Sequence, residues 1–220
     1  MRLSAHPRLV AAIFAALALL ACQIATGALN RSALRAAAQA RYGAQGVETV
    51  LEWIYLIDQA RSQPAAEQLS RVNDFFNGRT TFQSDDQIWN QADYWATPLE
   101  LLAGGRGDCE DFAIAKYVSL LALGIPQSRL RLIYVKARIE GTSQAHMVLG
   151  YYADSNGEPQ ILDNLTGVIE RATNRPDLTP VFSFNGEGLW AGGVKASSDP
   201  TARLSRWRDL LSRLSTEGFQ

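Results

Sequence analysis

A glycine-rich turn that runs directly into an apolar helix constrains this chain most, and it reads GRGDCEDFAIAKY over residues 105–117. Asp108 suits the N-cap of that helix, and Asp111 follows three residues later, near the place of the acidic partner in a capping box. Cys109 then falls in the first helical turn, where free backbone N–H groups and the helix dipole favour a thiolate. The stretch predicts an activated cysteine, with a small buried structural cysteine as the alternative.

The first 28 residues have the pattern of an export signal. Arg2 and Arg8 lie at the start, and the apolar run that includes VAAIFAALALLA is short for a membrane span. Small residues offer a cleavage site after Ala28, whereas the sequence LLAC also fits a lipoprotein signal that would leave Cys22 lipidated. An uncleaved membrane anchor is the third alternative. We expect an exported protein with one domain over residues 29–220.

Composition leaves few catalytic groups in the exported chain. The sequence contains two cysteines and two histidines, so removal of residues 1–28 would leave Cys109 and His146 as the single cysteine and the single histidine. One thiol cannot form an internal disulfide, and an unpaired thiol in an exported protein suggests reactivity. The formal net charge of −1 gives no indication of a nucleic-acid partner.

Hydrophobic periodicity predicts an α+β fold. Apolar residues recur at helical spacing through residues 29–80, which indicates a helical N-terminal subdomain, and an amphipathic helix is predicted at 201–215. Between these segments, alternating patterns predict an antiparallel sheet of about four strands, with the Cys109 helix packed on it. The predicted strands are 130–139, 144–152, 160–164 and 181–184.

Three chemical groups follow one another along this arrangement: Cys109 at a helix start, His146 in one strand and Asp163 at the end of another. A cysteine nucleophile needs a base, and the base needs a third group that fixes its tautomer. A short turn joins the last two strands, so we expect His146 and Asp163 to face each other. Structural roles, as a core histidine and a strand-end turn former, are the alternative.

The motifs GDCEDF, AHMVL and LDN resemble those of the bacterial transglutaminase-like cysteine proteinases of the LapG type, over about residues 89–190. The resemblance implies a papain/transglutaminase-like fold. It identifies Cys109 as the nucleophile, His146 as the general base and acid, and Asp163 as the orienting carboxylate. The backbone N–H of Cys109 and an indole N–H from residues 89–95 are the candidate oxyanion donors.

The same resemblance implies a calcium-dependent endopeptidase of the periplasm. Such enzymes cut a large surface adhesin near its N-terminus, at a paired-alanine site, and thereby promote biofilm dispersal. The implied inhibitor is the periplasmic domain of an inner-membrane cyclic-di-GMP receptor.

The implied calcium site lies around the nucleophile, with Asp108 and Glu110 as ligands, followed by Asp111 and then Asp93. Calcium prefers hard oxygen ligands, and carboxylates that flank Cys109 would raise its pKa unless a cation neutralised them. The same carboxylates could instead simply complement the helix dipole.

Two other functions fit these residues. A transglutaminase or amidase would use the same three groups and the same thioester, with an amine in place of water as the acceptor. A non-catalytic module could use the cleft to hold a peptide, although it would have no need of Cys109, His146 and Asp163 together.

Overall fold

The computed structural model describes residues 29–154 and 157–219. The predicted signal segment 1–28, including the candidate lipidation site Cys22, lies outside the described residues. Within the described ranges, no helix has the length and apolar character needed to span a bilayer.

Helices precede a strand-rich half, and a last helix follows it. The helices are α1 (Arg31–Ala60), α2 (Ala65–Arg79), α3 (Asp85–Trp89), α4 (Pro98–Gly104), α5 (Cys109–Ala122) and α6 (Ser205–Thr216). The strands are β1 (Thr81–Phe82), β2 (Arg106–Gly107), β3 (Leu130–Ile139), β4 (Thr142–Tyr151), β5 (Gln160–Leu162), β6 (Glu170–Arg171), β7 (Leu178–Asn185), β8 (Gly188–Ala191) and β9 (Val194–Ser197). Short 3₁₀ turns cover Gln127–Arg129, Ala172–Asn174 and Pro200–Ala202.

Among the described residues, the main sheet has seven strands in the order β6-β5-β4-β3-β7-β8-β9, and all its pairings are antiparallel. The α+β prediction is confirmed, and the four predicted strands correspond to β3, β4, β5 and β7. Strands β6, β8 and β9 extend the sheet at both edges. They were not predicted because they are only two to four residues long, which is too short to show a clear alternation.

Helix α5 is the centre of the core, and almost every residue after its first turn is buried. It packs against β4 and β3, and the buried faces of α1 and α2 belong to the same hydrophobic core. Trp53 of α1 is completely buried, and its indole N–H donates to Ser119 of α5 across 2.8 Å. The burial of one such large side chain contributes roughly 2–3 kcal/mol. The segment predicted to be helical over 29–80 therefore supports the helix that starts at Cys109.

The turn before α5 is fixed by the end of α4 and by a short strand pair. Gly105 ends α4 in the left-handed region, at φ 65°, a conformation that glycine adopts without steric cost. Strands β1 and β2 then pair in parallel, with Phe82 opposite Gly107. The residues that follow these two strands, toward α3 and α5, consequently emerge at the same end of the pair.

Candidate active site

Cys109 is the first residue of α5, as the capping pattern predicts. Asp108 is the N-cap, and its backbone N–H donates to Asp111 Oδ2 across 3.2 Å. The other oxygen of Asp111 accepts the backbone N–H of Ala96 at 2.7 Å. Asp111 is completely buried, so its carboxylate ties the start of α5 to the segment before α4.

His146 and Asp163 form a buried pair. His146 Nε2 lies 2.8 Å from Asp163 Oδ1, and both side chains are less than 5% exposed. The register pairs Leu149 with Leu162, which places Asp163, the residue after β5, beside the strand that carries His146. The expected juxtaposition of these two side chains is thus present. Because Nε2 is engaged by Asp163, Nδ1 is the ring nitrogen left to exchange a proton with a thiol.

The Asp163 carboxyl group is held in its ionised form. Burial alone would raise its pKa, but the hydrogen bond and charge of His146, the N–H of Leu165 and the guanidinium of Arg175 together lower that pKa to about 2. Leu165 N–H donates to Oδ1 across 3.1 Å, and Arg175 Nη2 donates to Oδ2 across 2.7 Å. An ionised carboxylate at this position can orient the imidazole and stabilise an imidazolium.

The Cys109 sulfur lies against the strand that carries His146, since the backbone N–H of Met147 donates to it. Its thiol also donates to Glu110 Oε2 across 2.7 Å. Burial, followed by the charge and hydrogen bond of Glu110, raises the pKa of the Cys109 thiol far above its usual value, and Met147 only partly opposes this. The helix dipole alone therefore does not produce a thiolate, because the flanking carboxylates act in the opposite direction.

Acidic side chains cluster around the start of α5. Two overlapping groups have carboxylate oxygens within 4.8 Å of one another, and their members are Asp85, Asp93, Asp108, Glu110 and Asp111. Burial and mutual repulsion raise the pKa of Asp108 to about 9, and burial raises that of Asp85 to about 6. The pKa values of Asp93 and Asp111 are also raised, in both cases chiefly by burial.

The cluster has the chemistry of a calcium site. Asp85 Oδ1 and Asp108 Oδ1 are buried and find no hydrogen-bond partner among residues 29–154 and 157–219. A buried carboxylate oxygen without a donor is costly, and a hard divalent cation would satisfy it. The donors of these two groups are all oxygens, which suits calcium rather than a soft metal. In contrast, both oxygens of Asp111 already accept backbone N–H groups, which gives this residue a structural role as well.

Asp85 is the member of the cluster that the sequence did not identify as a ligand. It reaches the site because it follows β1, which pairs in parallel with the strand before Asp108. Asp85 is 2% exposed and accepts the backbone N–H of Tyr94, whereas its neighbour Asp86 is exposed. No local pattern distinguishes these two adjacent aspartates, so only the tertiary pairing could have revealed the buried one.

Two tryptophans that precede the cysteine differ in their indole groups. Trp95 donates its N–H to the Asp93 carboxylate and stacks on Phe184. The indole N–H of Trp89 is buried and has no partner within the described part of the chain. Of the two indoles considered as oxyanion donors, Trp89 is the one whose N–H is not engaged.

A cysteine at the start of a buried helix, beside a histidine–aspartate pair on an antiparallel sheet, defines a cysteine peptidase of the papain/transglutaminase-like class. The family model for the bacterial transglutaminase-like cysteine proteinases (BTLCP) matches residues 55–176, and the chain belongs to this family.

Solved structures of LapG from Legionella pneumophila are similar along almost their whole length. One is 38% identical with a TM-score of 0.73 and covers 86% of this chain and 99% of its own. An EGTA-treated form is 38% identical (TM-score 0.75; 86% and 99% coverage), and a calcium-bound form is 39% identical (TM-score 0.72; 84% and 98% coverage). A comparison with curated protein sequences finds no match.

Proposed function

We propose that this chain is a calcium-dependent cysteine endopeptidase of the periplasm that cleaves the N-terminal region of a large surface adhesin. One observation carries the proposal. The Cys109 sulfur lies at a helix N-terminus, against the backbone of the strand whose His146 is held by Asp163 across 2.8 Å. The proposed nucleophile, base and orienting group thus come from a helix, a strand and a strand end, and this proximity supports the proposal.

The proposed reaction proceeds through a thioester. His146 Nδ1 takes the thiol proton as the Cys109 sulfur bonds to the scissile carbonyl carbon, and the backbone N–H of Cys109 faces the developing oxyanion. Collapse of this intermediate breaks the C–N bond, and His146 gives its proton to the leaving amine. Water, deprotonated by His146, then attacks the thioester and releases the acid and the thiol. Asp163 keeps the imidazole oriented throughout.

Calcium would be held by carboxylates around the start of α5, with Asp85, Asp108 and Glu110 as the principal residues and Asp93 at the margin. When bound, the cation would neutralise carboxylates that raise the pKa of the thiol. Two observations support it: the buried oxygens of Asp85 and Asp108 that lack a donor among the described residues, and the calcium-bound form of the similar LapG from Legionella pneumophila.

The adhesin substrate, with its paired-alanine site, is proposed from the family resemblance, as is the inhibitory receptor that responds to cyclic-di-GMP. The exposed apolar residues Leu165 and Val168 follow Asp163 and offer surface for small apolar side chains beside the site. Export is proposed from the pattern of residues 1–28, with cleavage after Ala28 and lipidation at Cys22 as the two modes.

The test is a cleavage assay on the N-terminal fragment of a large adhesin from the same organism. The protein is incubated with calcium, with EGTA, and as Cys109→Ala with calcium. We expect one discrete cut in the first reaction only, with Cys109→Ala still folded by circular dichroism. A parallel reaction with a fluorescent amine tests the transglutaminase alternative. Amine incorporation without cleavage would favour transglutaminase activity over peptidase activity. Cleavage by Cys109→Ala would show that the Cys109 thiol is not the nucleophile.

A further inference from the structure

We infer that Arg175 is a positioning residue for the reaction and that it holds the Asp163 carboxylate against His146 from the opposite side. The inference rests on the proposed roles of His146 and Asp163. It concerns a residue that follows a 3₁₀ turn, 12 positions after Asp163, which neither a motif nor the family resemblance singles out.

The two oxygens of Asp163 have separate partners. Oδ1 is engaged by His146 Nε2 at 2.8 Å and by the Leu165 N–H at 3.1 Å. Oδ2 accepts from Arg175 Nη2 at 2.7 Å. The Arg175 guanidinium is fixed in turn by Asp177, which accepts from Nε at 3.0 Å and from Nη2 at 2.7 Å. Rotation of the Asp163 carboxylate away from His146 would break its contact with Arg175.

Two other side chains near Asp163 bond to its backbone rather than to its carboxylate. The buried Lys116 of α5 donates from Nζ to the main-chain carbonyl of Asp163 across 3.0 Å, and Asn77 donates to the same carbonyl across 2.8 Å. Within the described part of the chain, Arg175 is therefore the side chain that acts on Oδ2. Removal of Arg175 would leave the strand end in place but would leave Oδ2 without its donor, so that only the contacts of Oδ1 orient the carboxylate.

The burial of Arg175 also favours a functional role. Its side chain is only 8% exposed, and Nη1 has no hydrogen-bond partner among the described residues. A desolvated guanidinium with an unsatisfied N–H is costly, and apolar residues of similar size commonly replace such groups without loss of stability. A position that served packing alone would have no need of this charge.

The experiment compares Arg175→Met, Arg175→Lys and Arg175→Ala in the cleavage assay at fixed, saturating calcium. In Arg175→Met we expect kcat to fall about tenfold with little change in KM. Losses of this size are typical when a hydrogen bond that orients a metal ligand is removed, and Arg175 orients Asp163 in the same indirect way. The acid limb of the pH–rate profile should move upward by about one pH unit. An arginine beside a carboxylate favours the ionised form, so loss of Arg175 should raise the pKa of Asp163. Arg175→Lys should restore part of the rate, and free guanidinium should rescue Arg175→Ala better than equal sodium chloride.

Arg131→Met is the matched control. Arg131 also belongs to the sheet region and stacks on the rings of Tyr152 and Trp190, but no ion pair to it is found among the described residues. Its replacement removes the same charge without contact to Asp163, so its pH profile should match that of the wild type. The inference is overturned if Arg175→Met keeps the wild-type profile, or if its rate falls only in proportion to the folded fraction.

A spectroscopic measurement separates this inference from the proposed substrate. In a His6→Gln background His146 is the only histidine, so its ring nitrogens can be observed by long-range ¹H–¹⁵N spectra without any cleavage. We expect Arg175→Met to change the Nε2 resonance and its pH dependence, and Arg175→Lys and Arg131→Met to preserve them. If the wild type cleaves no adhesin but these spectra change as expected, the substrate is wrong and the positioning role stands. Unchanged spectra would overturn the role.

Discussion

The thiol of Cys109 donates a hydrogen bond to the carboxylate of its neighbour Glu110 across 2.7 Å. A thiol that donates to a carboxylate is protonated, and a protonated thiol is a poor nucleophile. Among the described residues, Glu110 thus opposes the nucleophilic role proposed for Cys109. A cation on Glu110 would compete with the thiol for the same oxygen, which gives a physical reason for metal dependence.

The first prediction concerns this hydrogen bond. Glu110→Gln removes the charge that contributes most to the raised thiol pKa after burial. In EGTA the variant should therefore react faster with iodoacetamide at neutral pH than the wild type, by about tenfold for each unit by which the pKa falls. Glu48→Gln, on an exposed face of α1, is the control and should react at the wild-type rate. An equal or slower rate in Glu110→Gln would contradict the claim that Glu110 raises the pKa of the Cys109 thiol.

The second prediction tests Asp85 as a calcium ligand. Asp85→Asn keeps the size of the side chain but removes one buried negative charge, so calcium affinity measured by calorimetry should fall about tenfold, or about 1.4 kcal/mol. Asp86→Asn is the matched control, because Asp86 is adjacent in sequence but exposed. Equal affinities for the two variants would remove Asp85 from the site.

The third prediction follows from the raised carboxylate pKa values. The pKa of Asp85 is raised from 3.8 to about 6 and that of Asp108 from 3.8 to about 9. The folded protein therefore retains protons that the unfolded chain has released, and its stability in EGTA should fall as the pH rises from about 4 to about 9, with the contribution of Asp85 complete by about pH 6. Asp163, with its pKa lowered to about 2, has the opposite effect, but only below about pH 4.

Melting temperatures measured across this pH range, with and without calcium, check the third prediction. In EGTA the melting temperature should be higher at pH 5 than at pH 7, and the increase caused by calcium should be larger at pH 7. Asp85→Asn should flatten the slope in EGTA. If the melting temperature rises between pH 5 and pH 7 in EGTA, the carboxylate cluster does not dominate the pH dependence of stability.

Local patterns explain why the central part of the site could be predicted. Asp108 and Asp111 follow the capping box, so the start of α5 and the place of Cys109 are encoded within four residues. Alternation predicts the strand character of β3, and the short turn after β4 predicts that the strand ending near Asp163 pairs with β4. Strand pairing brings His146 and Asp163 to neighbouring positions, because Leu149 of β4 lies opposite Leu162 of β5.

Residues whose roles depend on long-range pairing could not be predicted in this way. Asp85 joins the carboxylate cluster because of the two-residue parallel pairing of β1 and β2, which has no sequence signature. Arg175 reaches Asp163 from an irregular turn, where neither helical nor strand periodicity tells which way a side chain points. Glu110 lies next to the cysteine, but its hydrogen bond to the thiol depends on a rotamer rather than on spacing.

The last prediction concerns the close approach of the chain at Gly107. A Cβ atom at this position would lie 2.7 Å from Asp111 Oδ2 and 2.9 Å from Asp111 Cβ, and it would also strike Leu101. Gly107→Ala should cost roughly 1–3 kcal/mol in the free energy of unfolding, because Asp111 cannot move without loss of its bonds to Asp108 and Ala96. Since Asp108 would shift as well, calcium affinity should also fall.

Gly104→Ala provides the matched comparison for Gly107→Ala. Gly104 is the last residue of α4, and a Cβ atom there would meet nothing within 4 Å. Alanine is a better helix former than glycine by up to about 1 kcal/mol, so this variant should be neutral or more stable and should bind calcium normally. Urea unfolding and calorimetry on the two variants make the comparison. Equal stability of the two variants would show that the turn tolerates a side chain at Gly107. Equal calcium affinity would show that the position of Asp108 does not depend on the contact between Gly107 and Asp111.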